Sequence, residues 1–260
     1  MDERRTIRLD KFLVLSVLLF ILALSHVSSN LASGNARFDE EFHVSASGDD
    51  AIESGFGLFF HSTEYLNIYS QIVDSERWSS AIRFTNVTIP RDATITSASV
   101  SLYVHDADHD DVNCDIYGNN VDDSRNFVVG QNILDQSERP RTKSSVGWVD
   151  NDLGVGWVQK ATLENIIGEI TARPGWSAGN AIALLFIARQ NPIDKSFRVH
   201  SYDYNSEYAP KLEVSWTTEK DVVNIQWWIL VLFSCIVASL GTAIYAVHRR
   251  RKVERPARKA

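Results

Sequence analysis

From Trp227 to Val247 the chain runs 21 residues without a charge. As a helix rising about 1.5 Å per residue, that run spans roughly the 30 Å of hydrocarbon in a bilayer. The sequence therefore predicts a transmembrane helix over residues 225–247, with the lipid bilayer as a partner. Trp227 and Trp228 stand at its start, where indole rings favour the membrane interface. His248-Arg249-Arg250-Arg251-Lys252 follows at once, which by the positive-inside rule puts the C-terminus in the cytoplasm. A buried core helix would need an apolar domain to cover it, and the basic tail supplies none.

At the other end Arg4, Arg5, Arg8 and Lys11 precede the apolar stretch Phe12–Leu24. That stretch is short for a membrane span and suits a secretory signal. Ser28-Ser29 and Ala32-Ser33-Gly34 offer small residues for cleavage; uncleaved, the segment stays as a signal anchor. The expected organisation is a signal peptide or anchor over 1–36, an extracellular domain over 37–216, a short stalk over 217–224, the membrane helix, and a basic cytoplasmic tail over 248–260. Such a chain sits in the cell membrane as a single-pass surface protein.

Residues 37–220 hold 15 basic groups against 28 acidic ones. A segment so acidic repels phosphate, which argues against nucleic acid as a partner. Two cysteines, Cys114 and Cys235, cannot make a disulfide scaffold, so a hydrophobic core must hold this segment together. Its dominant period is two. Ala98, Val100, Leu102 and Val104 alternate with Ser97, Ser99, Ser101 and Tyr103, as in a strand with one buried face. Similar runs recur at Phe38–Val44, Trp78–Phe84, Val112–Tyr117, Ala181–Ala188, Phe197–Tyr202 and Leu212–Trp216, separated by Gly, Pro, Asn and Asp clusters. The expected fold is mainly β, an antiparallel jelly-roll-like β-sandwich.

One stretch departs from this period. In Thr162–Arg173, Leu163, Ile166, Ile167 and Ile170 fall at helical spacing, with Thr162 placed to cap the start and Pro174-Gly175 to stop the end. This predicts one short amphipathic helix across an opening of the sandwich. Its other face, Glu164, Asn165, Glu169 and Thr171, is too mixed to define a site, so the helix reads as a structural plug.

Several strings together resemble a known module: Arg83-Phe84-Thr85-Asn86-Val87-Thr88-Ile89-Pro90, Ala93-Thr94-Ile95-Thr96-Ser97-Ala98, Ile170–Ala181 with its Arg173-Pro174-Gly175-Trp176 turn, and Ser201-Tyr202-Asp203 with Ala209-Pro210-Lys211-Leu212. They look like the DNRLRE-type β-sandwich of archaeal and bacterial extracellular proteins, which includes disaggregatase-related surface proteins. The resemblance covers roughly residues 38–216, although the DNRLRE string itself is absent. It implies a sandwich fold and leaves function open, because related modules include carbohydrate-binding domains.

Two acidic segments are candidates for Ca²⁺, which takes six to eight oxygens. The first is Asp106, Asp108, Asp110 and Asp111; it fails the EF-hand pattern, with Asp111 at the glycine position and Tyr117 at the bidentate glutamate, and a solvated acidic turn competes with the metal reading. The second is Asp49, Asp50 and Glu53, for which the competing reading is a polar turn. Zinc lacks a third nitrogen or sulfur ligand at either. For sugar stacking, Trp157 between glycines and the loop carrying Tyr202, Asp203, Tyr204 and Tyr208 are the candidates, while Trp78, Trp176 and Trp216 suit the core. Cys114 alternates with Val112 and Ile116 as a buried small hydrophobe. Asn86-Val87-Thr88 is a candidate N-glycosylation sequon on the exported side, with burial at a strand edge as the competing reading.

No zincin motif, P-loop or dinucleotide fingerprint occurs. The favoured expectation is a non-enzymatic surface protein whose ectodomain binds envelope polysaccharide or another envelope component, with Ca²⁺ in a structural role. A structural subunit contacting surface or membrane proteins is the alternative. A polysaccharide-degrading enzyme comes third, since carboxylate pairs assemble in space and not in sequence.

Overall fold

The computed structural model of the chain describes residues 36–70, 77–128, 132–189, 195–218 and Gly241. The predicted signal segment lies outside these residues, as does the predicted membrane helix apart from Gly241. Among the described residues, no helix is long and apolar enough to cross a membrane.

The strands follow one another as β1 (Ala36–His43), β2 (Asp50–Ser54), β3 (Phe59–His61), β4 (Tyr65–Ser70), β5 (Arg77–Phe84), β6 (Thr94–Val104), β7 (Val112–Asn119), β8 (Arg141–Asp150) and β9 (Gly156–Lys160). A helix, α1 (Glu164–Thr171), precedes β10 (Ile182–Ala188), β11 (Lys195–His200) and β12 (Lys211–Thr218). Every strand pair is antiparallel. Hydrogen bonding runs in the order β1-β12-β6-β11-β4-β5-β10-β7-β8, with β2 joining β3 to β5 and β9 on the other edge of β6. This path narrows twice, to the single pair Val199↔Val104 between β11 and β6 and to two pairs between β4 and β5. The result is two antiparallel sheets in a sandwich-like arrangement: a front sheet of β1, β12, β6 and β9 continued by β11 and β4, and a back sheet of β3, β2, β5, β10, β7 and β8.

Alternation dictates what lies between the sheets. Val100, Leu102 and Val104 of β6 and Leu212, Val214 and Trp216 of β12 are buried from the front, against Ile82, Phe84, Leu184, Phe186, Cys114 and Ile116 from the back. Strand β10 breaks the alternation because it is covered on both faces. Its Ala183 and Leu185 join Ala51, Ala81, Phe127 and Ile133 in a second, smaller cluster.

Helix α1 closes the sandwich where β6 faces β7 and β8, and Leu163, Ile166, Ile167 and Ile170 are fully buried there. Gly118 makes this approach possible: a Cβ on it would stand 2.6 Å from Ile170 Cδ1 and 2.8 Å from Ile166 Cγ2. Two details of the expected helix are corrected. Thr162 does not cap it; its backbone is left-handed (φ 72°), its hydroxyl turns to the Ala161 carbonyl, and Leu163 takes the cap position without a side-chain bond. Thr171 is buried instead of lying on the outer face. That outer face is also less idle than expected, because Glu169 accepts the backbone N–H groups of Lys143 (2.8 Å) and Ser144 (3.0 Å) on β8.

Candidate ligand face

Because Val100, Leu102 and Val104 point inward, Ser101, Tyr103 and His105 must point out from the front sheet. The same parity turns Tyr65 out of β4, Arg198 and His200 out of β11, Trp157 and Gln159 out of β9, and Lys211 and Glu213 out of β12. Register then gathers them: Tyr103 pairs with Trp157, His200 with Tyr65, and Lys211 with Ser101. The segment 201–210 folds back over this patch and adds Tyr204 and Tyr208. Ser201 Oγ organises the turn by accepting the N–H groups of Asp203 (3.1 Å) and Tyr204 (3.3 Å), and Asn205 caps the next turn through Glu207 N–H (3.0 Å).

The outcome is one continuous aromatic patch. Tyr103 stacks on Tyr208 with centroids 4.3 Å apart and meets Trp157 edge-on at 5.5 Å. His200 lies 4.1 Å from Tyr204, and Tyr65 lies 4.3 Å from His105 and 5.1 Å from Tyr204. Trp157 keeps 42% of its surface exposed and Tyr204 43%, the free aromatic area of the patch. Lys211 Nζ sits 4.9 Å over the Trp157 ring and 3.5 Å from Glu41. Below the aromatics the face turns polar. Glu213 accepts hydrogen bonds from Ser99, Ser101 and Gln159, and Asp39 accepts from Ser215. The Ser215 hydrogen bond, with that of Arg37, holds the Asp39 carboxyl below the usual range. Asp39, Glu41, Ser97, Ser99, Glu213 and Ser215 border a shallow depression of about 330 Å³.

At its upper edge His105 Nδ1 and His200 Nε2 are 3.1 Å apart. Burial, and then the neighbouring His105, push the His200 imidazole below its ordinary range. Asp106 lies behind, bonded to His109 Nδ1 at 2.6 Å and 3.7 Å from both His105 Nε2 and Arg198 Nη1. Burial alone would raise the Asp106 carboxyl, but the His109 hydrogen bond and the charges of His109, Arg198 and His105 outweigh it and hold it low.

Of the sequence candidates for stacking, the structure brings together Trp157, Tyr204 and Tyr208. Trp157 lies on strand β9 and not in a polar loop. Tyr202 and Asp203 turn the other way. Tyr202 packs against the core and its N–H binds Asp50 Oδ2 (2.9 Å), while Asp203 accepts the Ser47 hydroxyl (2.5 Å). Tyr65, Tyr103, His200 and Lys211 are not among the sequence candidates for stacking, and His105 enters the sequence reading only at the head of the acidic segment; the alternation of β6, which places Tyr103 on the polar side, is the available signal.

The acidic candidates find separate partners. Asp110 Oδ2 accepts Gly154 N–H (3.0 Å) and Asp111 Oδ1 accepts Asp152 N–H (3.1 Å), so both tie down the turn between β8 and β9, while Asp108 is exposed. In the other group Asp49 forms a buried ion pair with Arg83 (2.5 Å), and Glu53 Oε2 accepts the N–H groups of Ile133 and Leu134. Asp50 and Glu53 belong to β2, not to a loop. Asp50 Oδ1 is buried without a partner. Burial first, and then the charges of Asp203 and Asp49, push the Asp50 carboxyl up to about 7 against the lowering effect of Tyr202 N–H. Among the described residues, no three His, Cys, Asp or Glu side chains converge as metal ligands. Cys114 is buried and its thiol is pushed up to about 12 by burial, as expected of a small core hydrophobe. Asn86 is exposed on the turn after β5 with a left-handed backbone (φ 53°), so no strand edge hides the sequon.

Compared with known protein families and with characterised proteins, the chain matches none.

Proposed function

We propose that the front face binds extracellular polysaccharide and that the protein is a non-enzymatic, membrane-anchored surface protein. The observation that carries this reading is the exposed ring surface of Trp157 and Tyr204, set beside a strip of hydroxyl, amide and carboxylate groups from Ser99, Ser101, Gln159 and Glu213. Aromatic faces stack on pyranose rings while polar groups of this kind bond the ring hydroxyls. The reading includes a jelly-roll sandwich of the DNRLRE type, an N-terminal signal and a C-terminal membrane helix with its tail in the cytoplasm. Ca²⁺ enters the proposal at Asp50, whose buried Oδ1 has no partner. Glu53, the third residue of that acidic group, already accepts two backbone N–H groups.

A glycan array probed with the full-length protein in detergent tests the reading, and a defined sugar ligand supports it. A second reading, a structural subunit that packs on another surface or membrane protein, draws on the β2–β3 turn. There Phe56 is 71% exposed, with Leu58 and Phe60 also projecting. An array without any bound sugar favours that second reading, and sugar cleavage during the assay would favour the degradative enzyme.

A further inference from the structure

We propose that His105 and His200 form an acid-sensitive latch that keeps the aromatic face assembled at neutral pH and opens it when both imidazoles are protonated. The proposal rests on the reading of this face as the binding site and supplies its regulation.

The contact reinforces a narrow junction, where His105 N–H also donates to the Arg198 carbonyl (3.0 Å). Strands β6 and β11 share one register pair, Val104↔Val199, and His105 follows directly on one side while His200 follows on the other. At 3.1 Å, Nδ1 of His105 and Nε2 of His200 require one donor and one acceptor. That condition holds when the pair is neutral and also when one ring carries the extra proton. With both rings charged, each nitrogen bears a hydrogen, and the bond becomes a contact between two donors and two like charges.

The two rings differ in their surroundings. Around His105 stands Asp106, which also serves His109 on its own turn and Arg198 on β11. His200 is 5% exposed and faces the rings of Tyr65, Tyr103, Tyr204 and Tyr208, none of which is an anion at that pH. Further charged groups here are Lys211, over Trp157 on β12, Glu64, which acts on Tyr65 at the start of β4, and Asp203 and Glu207 on the segment after His200. Charging His200 thus places a cation in an aromatic enclosure beside a second cation. The strain is relieved by turning the His200 ring away from His105, and Tyr204 and Tyr208, which pack against that ring, move with it. Ligand held against these rings would be released on acidification.

The test needs no ligand, so its failure is distinct from failure of the binding reading. Full-length protein carrying ¹³C-labelled histidine is titrated by NMR, and amide hydrogen exchange of residues 201–208 is followed at pH 7.5 and 5.0 after correction for intrinsic rates. The expected result is a His200 midpoint that rises by at least about half a pH unit in His105→Gln, which leaves one ionisable ring. Exchange of 201–208 should accelerate at pH 5.0 at least about tenfold in the wild type and remain slow in the variant. A His200 midpoint unmoved by His105→Gln, or exchange equally protected at both pH values in the wild type, overturns the latch. Should His105→Gln be poorly folded, His105→Asn offers the second route, and a His200 midpoint unmoved in it equally overturns the proposal.

Discussion

Tyr103 and Trp157 face each other across the β6–β9 register with ring centroids 5.5 Å apart and planes at 88°. The edge-on geometry fixes the indole on an edge strand while leaving ring surface free, an arrangement suited to stacking against a flat ligand. Tyr103 in turn is held by Tyr208, so the front face is preorganised through a chain of ring contacts.

Helix α1 stabilises the domain from both of its sides. Ile167→Ala empties a fully buried position and should cost about 2–5 kcal/mol in denaturant melts. Glu169→Gln keeps one amide oxygen for two backbone donors on β8 and should cost about 1–2 kcal/mol, more than the roughly 0.5 kcal/mol of an ordinary surface change. A Glu169→Gln melt indistinguishable from the wild type would show that these two bonds contribute nothing.

Gly118→Ala should destabilise by overpacking, by about 1–3 kcal/mol, because its Cβ meets two isoleucine side chains of α1 within 2.8 Å. Shortening the obstacle with Ile170→Val in the same chain should recover part of that loss, as thermal melts of the single and double variants would reveal. Additive losses would place the cost elsewhere.

Asp50 makes stability depend on pH. Its carboxyl is raised from 3.8 to about 7, so between these values the folded chain keeps a proton that the unfolded chain has lost. Stability from this group is therefore full below about pH 4 and lost as pH rises through 7, by up to about 4 kcal/mol. Asp50→Asn should flatten that slope in melts run with chelator. Calcium bound at Asp50 would favour the ionised form, so adding it should raise the wild-type melting temperature above pH 7 and leave Asp50→Asn unmoved. Identical wild-type midpoints with calcium and chelator remove the metal from the account.

The clean alternations were legible. Strands β1, β5, β6, β7, β10, β11 and β12 fall on runs with one or two apolar faces, and α1 on its isoleucine stripe. Strand β2 was not, because Asp50-Ala51-Ile52-Glu53-Ser54 has the composition of a turn while Asp50 Oδ2 and Glu53 find their partners far along the chain. Glu53 binds amides 80 residues away, and local periodicity carries no trace of such a partner. Strands β8 and β9 escaped for a related reason: β8 lies at the sheet edge with Lys143, Ser145 and Gly147 among its residues, and β9 is short and begins at a glycine. Trp157, Tyr204 and Tyr208 were recognisable as aromatics in polar company. Their convergence with Tyr65, Tyr103 and His200 depends on register, which emerges only when the sheet is assembled.

The most direct measurement of the central claim is glycan-array binding of the full-length protein beside a Trp157→Ala/Tyr204→Ala variant whose melting temperature matches the wild type. The account predicts a defined polysaccharide ligand for the wild type and at least about a tenfold loss of affinity in the variant, roughly 1.4 kcal/mol of stacking. A wild type that binds no sugar, or a variant that binds as tightly as the wild type, contradicts it.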